Sequence, residues 1–162
     1  VYLCLGKKLS THELGYMQHS ARESFTLIDF DYSLAIAKLA FDSGARSIAL
    51  VSAVGAQEGS FNYYFHIKGK LENEIKKIGY ENMCFARPGH LLGKRKDFRG
   101  YEIPILESGL RIAAPFMQGP LVNFRQIEAK QVAESMVTNL LNKKRGEFYL
   151  YYEDFLKTET FE

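Results

Sequence analysis

Ser52, Tyr64 and Lys68 are the residues of this 162-residue chain whose types and spacing suit a reaction. Tyr64 and Lys68 stand four positions apart, which on a helix puts both side chains on one face, one turn from each other. A neighbouring ammonium stabilises phenolate and draws a phenol's pKa towards working pH, so a tyrosine, a lysine and a serine hydroxyl in one cleft make a proton-transfer device. Spacing alone carries little, because a Tyr-x-x-x-Lys turns up about once by chance in a chain of this composition, usually on an ordinary amphipathic surface helix. Context is what separates the two readings. Residues 47–52 (S-I-A-L-V-S) read as a buried strand ending at Ser52, a glycine turn follows, and the Tyr/Lys pair falls near the start of the next helix.

The elements that must position these groups can be read from patterning. Residues 1–5 form an apolar run broken at Gly6, 28–41 show helical spacing stopped by Asp42, Ser43 and Gly44, and 45–51 are a strand. Residues 61–78 then predict a helix ended by Gly79, and 82–86 (N-M-C-F-A) a strand closed by Arg87, Pro88 and Gly89. Strand, helix, strand, helix, strand with short connections is the pattern of a parallel α/β sheet with helices on its faces. Sites in such sheets lie beyond the C-terminal ends of the strands, where Gly6, Ser52 and Arg87 would emerge.

Residues 7–24 are polar and irregular and read as a loop, of a length that usually serves function. His12 and His19 within it are seven apart with no third ligand nearby, which argues against a metal site. After residue 100, 103–114 suggest a helix, 116–122 a Gly/Pro-interrupted linker, and 125–141 an amphipathic helix whose Ile127, Val132, Met136, Val137, Leu140 and Leu141 would cover a sheet face. Residues 147–152 alternate as a late strand and 153–157 suggest a short terminal helix.

Composition sets outer limits. The chain is 46% apolar and 25% charged, with a formal net charge of +2, too small for an electrostatic footprint on nucleic acid. The basic clusters Lys94, Arg95, Lys96, Arg99 and Lys143, Lys144, Arg145 adjoin turn signals and read as solvated loops. No run of 18 apolar residues occurs, so no membrane span is expected. Cys4 and Cys84 fall in strand-like apolar runs, which suits reduced, packed thiols in an intracellular, cytoplasmic protein. The length fits a single α/β domain over 1–162, with the strand and helix units in 1–95 and a substrate-side segment in 96–162.

Taken together, C-L-G at 4–6, I-D-F-D-Y at 28–32, L-V-S-A-V-G-A at 50–56, Y-F-H-I-K-G-K-L-E at 64–72 and R-P-G-H-L-L at 87–92 resemble the atypical branch of the short-chain dehydrogenase/reductase superfamily. Within it they look most like the small NAD(P)H-binding proteins of the Tat-interacting, tumour-suppressor group. The resemblance implies a Rossmann-like sheet and an oxidoreductase that moves hydride between NAD or NADP and a small carbonyl or alcohol. By motif position Tyr64 would be the acid/base, Lys68 would lower its pKa and bind the nicotinamide ribose, and Ser52 would polarise the substrate carbonyl. The family often carries two serines at this strand end, and here the second is Ala53. Cys4, Leu5 and Gly6 match the loop along the cofactor, although the family's following Thr is Lys7 here, and Arg87, Pro88 and Gly89 match the turn near the carboxamide. Asp29 and Tyr32 match the helix that backs the site, where helix packing and capping are an equal reading.

The family's opening strand and G-x-x-G-x-x-G phosphate turn have no counterpart in this sequence. The expectation is therefore the catalytic half of the fold, with residues 1–5 as a parallel edge strand that a further segment or a partner chain would cover. An alternative of another class is a non-catalytic nucleotide-binding or interaction module. A homodimer, paired through edge strands or the aromatic segment Phe148, Tyr149, Tyr151, Tyr152 and Phe155, is a further expectation.

Overall fold

The computed structural model describes residues 1–92, 117–142 and 145–157. The helix expected over 103–114 and the basic residues from Lys94 to Arg99 lie outside the described residues, as do Lys143 and Lys144. Four parallel strands form the main sheet: β1 (Tyr2–Leu3), β2 (Ser47–Val51), β3 (Asn82–Ala86) and β6 (Gly146–Leu150), in the order β1-β2-β3-β6. The register runs Leu3 to Leu50, Leu50 to Phe85 and Phe85 to Tyr149. β4 (His90–Leu92) and β5 (Gln126–Glu128) pair in parallel as a separate two-stranded ribbon.

Side chains alternate across a strand, and here the alternation sorts two cores. Ile48, Leu50, Met83 and Phe85 face one layer with Leu3, Ala37, Leu71, Ile75 and Tyr80. Ala49, Cys84 and Ala86 face the other with Ile127, Val132, Met136 and Phe155. Both faces of a parallel sheet must be covered, which is why β2 and β3 carry almost no polar residue. The first face is covered by α3 (Ser33–Asp42) and α4 (Tyr63–Ile78), the second by α5 (Ala129–Leu141) and α6 (Tyr152–Leu156).

The segment 7–24, expected to be a loop, contains two helices, α1 (Thr11–Gly15) and α2 (His19–Thr26). Ser10 and Glu13 form a capping box that satisfies the first turn of α1, while Met17 and Phe25 are buried against Ile67 of α4. With Met17 the one buried residue described within 7–24, no 3.6-residue stripe stands out in the sequence. α2 runs without a break into a π-helical turn, Leu27–Tyr32, and then into α3. A π turn accommodates one extra residue and so changes the face that the following residues present; Asp29 lies in it and is buried.

The helix expected over 125–141 starts at Ala129, since Gln126 to Glu128 are taken by pairing with β4. A 3₁₀ helix, Gly119–Phe124, occupies the expected linker. α4 begins at Asn62, whose side-chain oxygen accepts from the N–H groups of Tyr64 at 2.9 Å and Phe65 at 3.4 Å. Its amide nitrogen donates to the carbonyls of Leu14 at 2.8 Å and Gly15 at 3.3 Å, fastening α1 to the start of α4. Gly69 lets α4 approach the preceding loop: a Cβ there would lie 2.4 Å from the backbone of Gln57.

Candidate functional site

Above the C-terminal ends of β1, β2 and β3 lies a cavity of about 440 Å³. It is lined by the turn after β1 (Cys4 to Leu9), by Ser52 at the tip of β2, and by Tyr64 and Lys68 of α4. Asp29, Leu14 and the segment Pro88 to Leu91 complete the wall. The volume falls in the range of small-molecule sites, roughly 300–1,000 Å³.

Ser52 is placed by its backbone: its N–H donates to the carbonyl of Ala86 at 2.8 Å, continuing the ladder one step beyond β2. Its side chain is 3% exposed, and its Oγ has no hydrogen-bond partner among the described residues. A buried hydroxyl left without a partner costs about 1–3 kcal/mol. Tyr64 packs against the rings of Phe25 and Phe65, with centroids 5.7 and 5.3 Å apart. The Lys68 ammonium lies 5.9 Å from the Tyr64 ring centre and 2.8 Å from Oδ1 of Asp29, in an ion pair whose two side chains are 6% and 2% exposed. The adjacent phenol, Tyr63, shares a hydrogen bond with Thr26 at 2.8 Å and is thereby taken up in packing.

The electrostatics depart from expectation. The spacing suggests a phenol whose pKa is drawn down by Lys68, whereas burial, and after it the charge of Asp29, push Tyr64 up to about 12. The lysine's charge is already answered by Asp29, so in this state Tyr64 holds its proton firmly.

Of the other expected residues, Cys4, Leu5, Gly6, Pro88 and Gly89 line the cavity, and Arg87 does not. The Arg87 guanidinium donates instead to both carboxylate oxygens of buried Glu72 and, at 2.9 Å, to the hydroxyl of Tyr151, while stacking 4.6 Å over the Tyr149 ring. An arginine at a strand tip can turn to either side, and a buried carboxylate on α4 decides the matter here. Cys4 is exposed at the cavity rather than packed, and partial burial raises its thiol pKa; Cys84 is the packed one. Tyr149 stacks on Phe85 and Phe155 is fully buried, so these members of the aromatic segment have partners within the chain.

Sequence reasoning did not single out Leu9, Leu14, His90 or Leu91 as lining residues. No polar-residue spacing marks them; the turn after β1 brings in Leu9, α1 brings in Leu14, and β4 brings in His90 and Leu91. Gly89 allows that arrangement, because a Cβ there would stand 2.7 Å from the Phe124 backbone. Among the described residues no group of three His, Cys, Asp or Glu is placed to hold a metal ion, and no helix is long and apolar enough to cross a membrane.

The fold and site together define a class: an α/β protein with a parallel sheet flanked by helices, of the Rossmann-like kind in which ligands sit at the strands' C-terminal ends. Among solved structures, the Bordetella bronchiseptica enzyme WbmG, crystallised with NAD and UDP, matches with a TM-score of 0.53 and 12% identity, over 84% of this chain and 47% of that one. At that identity the likeness is one of fold. The curated relatives are more specific. Protein FMP52, mitochondrial, of Debaryomyces hansenii is 41% identical over 78 residues, 48% of this chain and 34% of the relative. Its namesake in Candida albicans is 34% identical over 113 residues, 69% of this chain and 48% of the relative, and that of Meyerozyma guilliermondii is 31% identical over 121 residues, 74% and 50%. This chain thus spans half, or less, of the curated relatives it matches. No family model matches. The relatives bear the FMP52 name and not that of the Tat-interacting group. They also correct the cytoplasmic expectation, since all three are named as mitochondrial proteins.

Proposed function

We propose that the protein carrying this chain is an oxidoreductase of the short-chain type that uses NAD(H) or NADP(H) on a small carbonyl or alcohol, and that it works in mitochondria, as the names of its relatives suggest. The observation that carries the reading is the buried, unpartnered Ser52 hydroxyl in the same cavity as Tyr64 and Lys68. The cavity's donor set suits a nicotinamide cofactor, for which Cys4, Leu5, Gly6, Pro88 and Gly89 would form the wall. When bound, that cofactor supplies the hydride. The chain's own groups handle the substrate oxygen. Ser52 donates a hydrogen bond to it, and Tyr64 gives it a proton during reduction or takes one during oxidation. Lys68 stands beside the phenol and stabilises the phenolate left after proton donation.

Replacing Tyr64 with Phe removes the transferable proton and keeps the ring that packs on Phe25. Turnover of carbonyl substrates should fall by about 10²-fold or more, with nicotinamide fluorescence on NADH or NADPH titration unchanged. Equal turnover in wild type and variant would rule out this mechanism.

A second reading, a non-catalytic nucleotide-binding or interaction module, is favoured by a different observation: Lys68 is engaged by Asp29 and Tyr64 is raised to about 12. Nucleotide binding without turnover on any carbonyl tested would favour it.

A further inference from the structure

Asp29 is 1% exposed, and its carboxylate makes two ties to two different elements. Oδ1 holds the Lys68 ammonium at 2.8 Å, and Oδ2 accepts from the backbone N–H of Lys7 at 2.7 Å. One side chain thus links the turn after β1 to the reactive face of α4. The π turn at Leu27–Tyr32 is what brings Asp29 to this position.

Each element packed about the phenol contributes its own groups. The π turn offers Asp29, and α4 offers Lys68. The turn after β1 brings Lys7 and Lys8; the Lys7 ammonium donates to Ser24 Oγ at 2.6 Å. Helix α2 adds the Phe25 ring, with Arg22 over the ring of Tyr63, and β2 and β4 bring Ser52 and His90. Of these cations the Lys68 ammonium lies 5.9 Å from the Tyr64 ring centre, and it is the one that Asp29 pairs with.

We propose that Asp29 is a positioning residue of this site, binding the Lys68 ammonium to the backbone of the turn after β1 so that Tyr64 is kept as a proton donor. The catalytic consequence rests on the oxidoreductase reading, whereas the placement and its titration do not. The raised pKa of Tyr64, caused by burial first and Asp29 second, agrees with it.

The test is a titration of tyrosine ¹³Cζ resonances by NMR on the protein that carries this chain, with Tyr64 identified by its loss in Tyr64→Phe. Wild-type Tyr64 should remain a phenol well past its ordinary value of 10.0. In Asp29→Asn the anion is gone and the lysine charge is unmasked, two changes of one sign, so the Tyr64 titration should move down by about one pH unit or more. An unmoved Tyr64 titration in folded Asp29→Asn overturns the proposal. Should that variant not fold, wild type decides, since a Tyr64 that titrates at or below 10.0 removes the role assigned to Asp29. Where turnover is measurable, Asp29→Asn should also lower the pH at which reduction begins to decline. Wild type without turnover would defeat the enzymatic reading alone and leave the titration result standing.

Discussion

The Ser52 hydroxyl separates a structural from a chemical role better than any other group in the site. It is buried and has no partner among the described residues, so it contributes nothing to stability that a hydrogen bond would. Ser52→Ala should leave the urea midpoint unchanged or raise stability by about 1 kcal/mol, while lowering kcat roughly 10²-fold if the hydroxyl serves the reacting oxygen. A variant with full activity and reduced stability would assign Ser52 to the fold. At this scale the sequence was informative about placement, since Ser52 at a strand tip and Tyr64 and Lys68 on one helix line the same cavity. It pointed the wrong way on the Tyr64 pKa, which the Tyr/Lys spacing led one to expect lowered and which is raised to about 12. Burial leads that rise and Asp29 adds to it, from a position 35 residues before Tyr64 and from a π turn that no spacing rule announces. The turn of the Arg87 side chain towards Glu72 was hidden for a related reason, because that partner comes into reach only when α4 is packed.

Among the elements, α4 carries the reactive pair and depends on a close approach at Gly69. Alanine improves an exposed helix position by about 1 kcal/mol over glycine, but a Cβ 2.4 Å from the Gln57 backbone has no flexible neighbour to displace. The clash wins, and Gly69→Ala should lose a net ~2 kcal/mol or more by urea denaturation. Gly59→Ala is the control, as nothing lies within 4 Å of a Cβ there. Equal midpoints for the two variants would refute the close contact. Strands β2 and β3 and helix α4 were legible because apolar runs with Gly or Pro stops are local signals. α1, β4 and β5 were not, since three to five residues fixed by one cap or one ladder leave no periodic trace.

For the molecule as a whole, two buried acids of opposite faces set its response to alkali. The Tyr64 phenol and the Cys84 thiol are both held at about 12, against ordinary values of 10.0 and 9.0, chiefly by burial. Both keep their protons in the folded chain at pH values where the unfolded chain has lost them. Their contribution is therefore complete below about pH 9 and is lost as pH rises towards 12, each group giving up about 1.4 kcal/mol for every pH unit that separates its folded from its unfolded pKa. Urea midpoints measured at intervals from pH 8 to 11.5 should fall steadily, and those of Tyr64→Phe should fall less. Parallel slopes for the two proteins would show that Tyr64 is not protected by the fold. The parallel order of the sheet and its two cores followed from the run of strand and helix signals, whereas the separate β4/β5 ribbon did not. One further result of the architecture concerns the wall of the cavity. Asn62 clasps the carbonyls of Leu14 and Gly15 with one end of its amide and the first free N–H groups of α4 with the other. If this amide swings out, the Leu14 wall of the cavity and the footing of Tyr64 are released in the same motion, so loosening of that wall and fraying of the helix that carries the phenol are a single event.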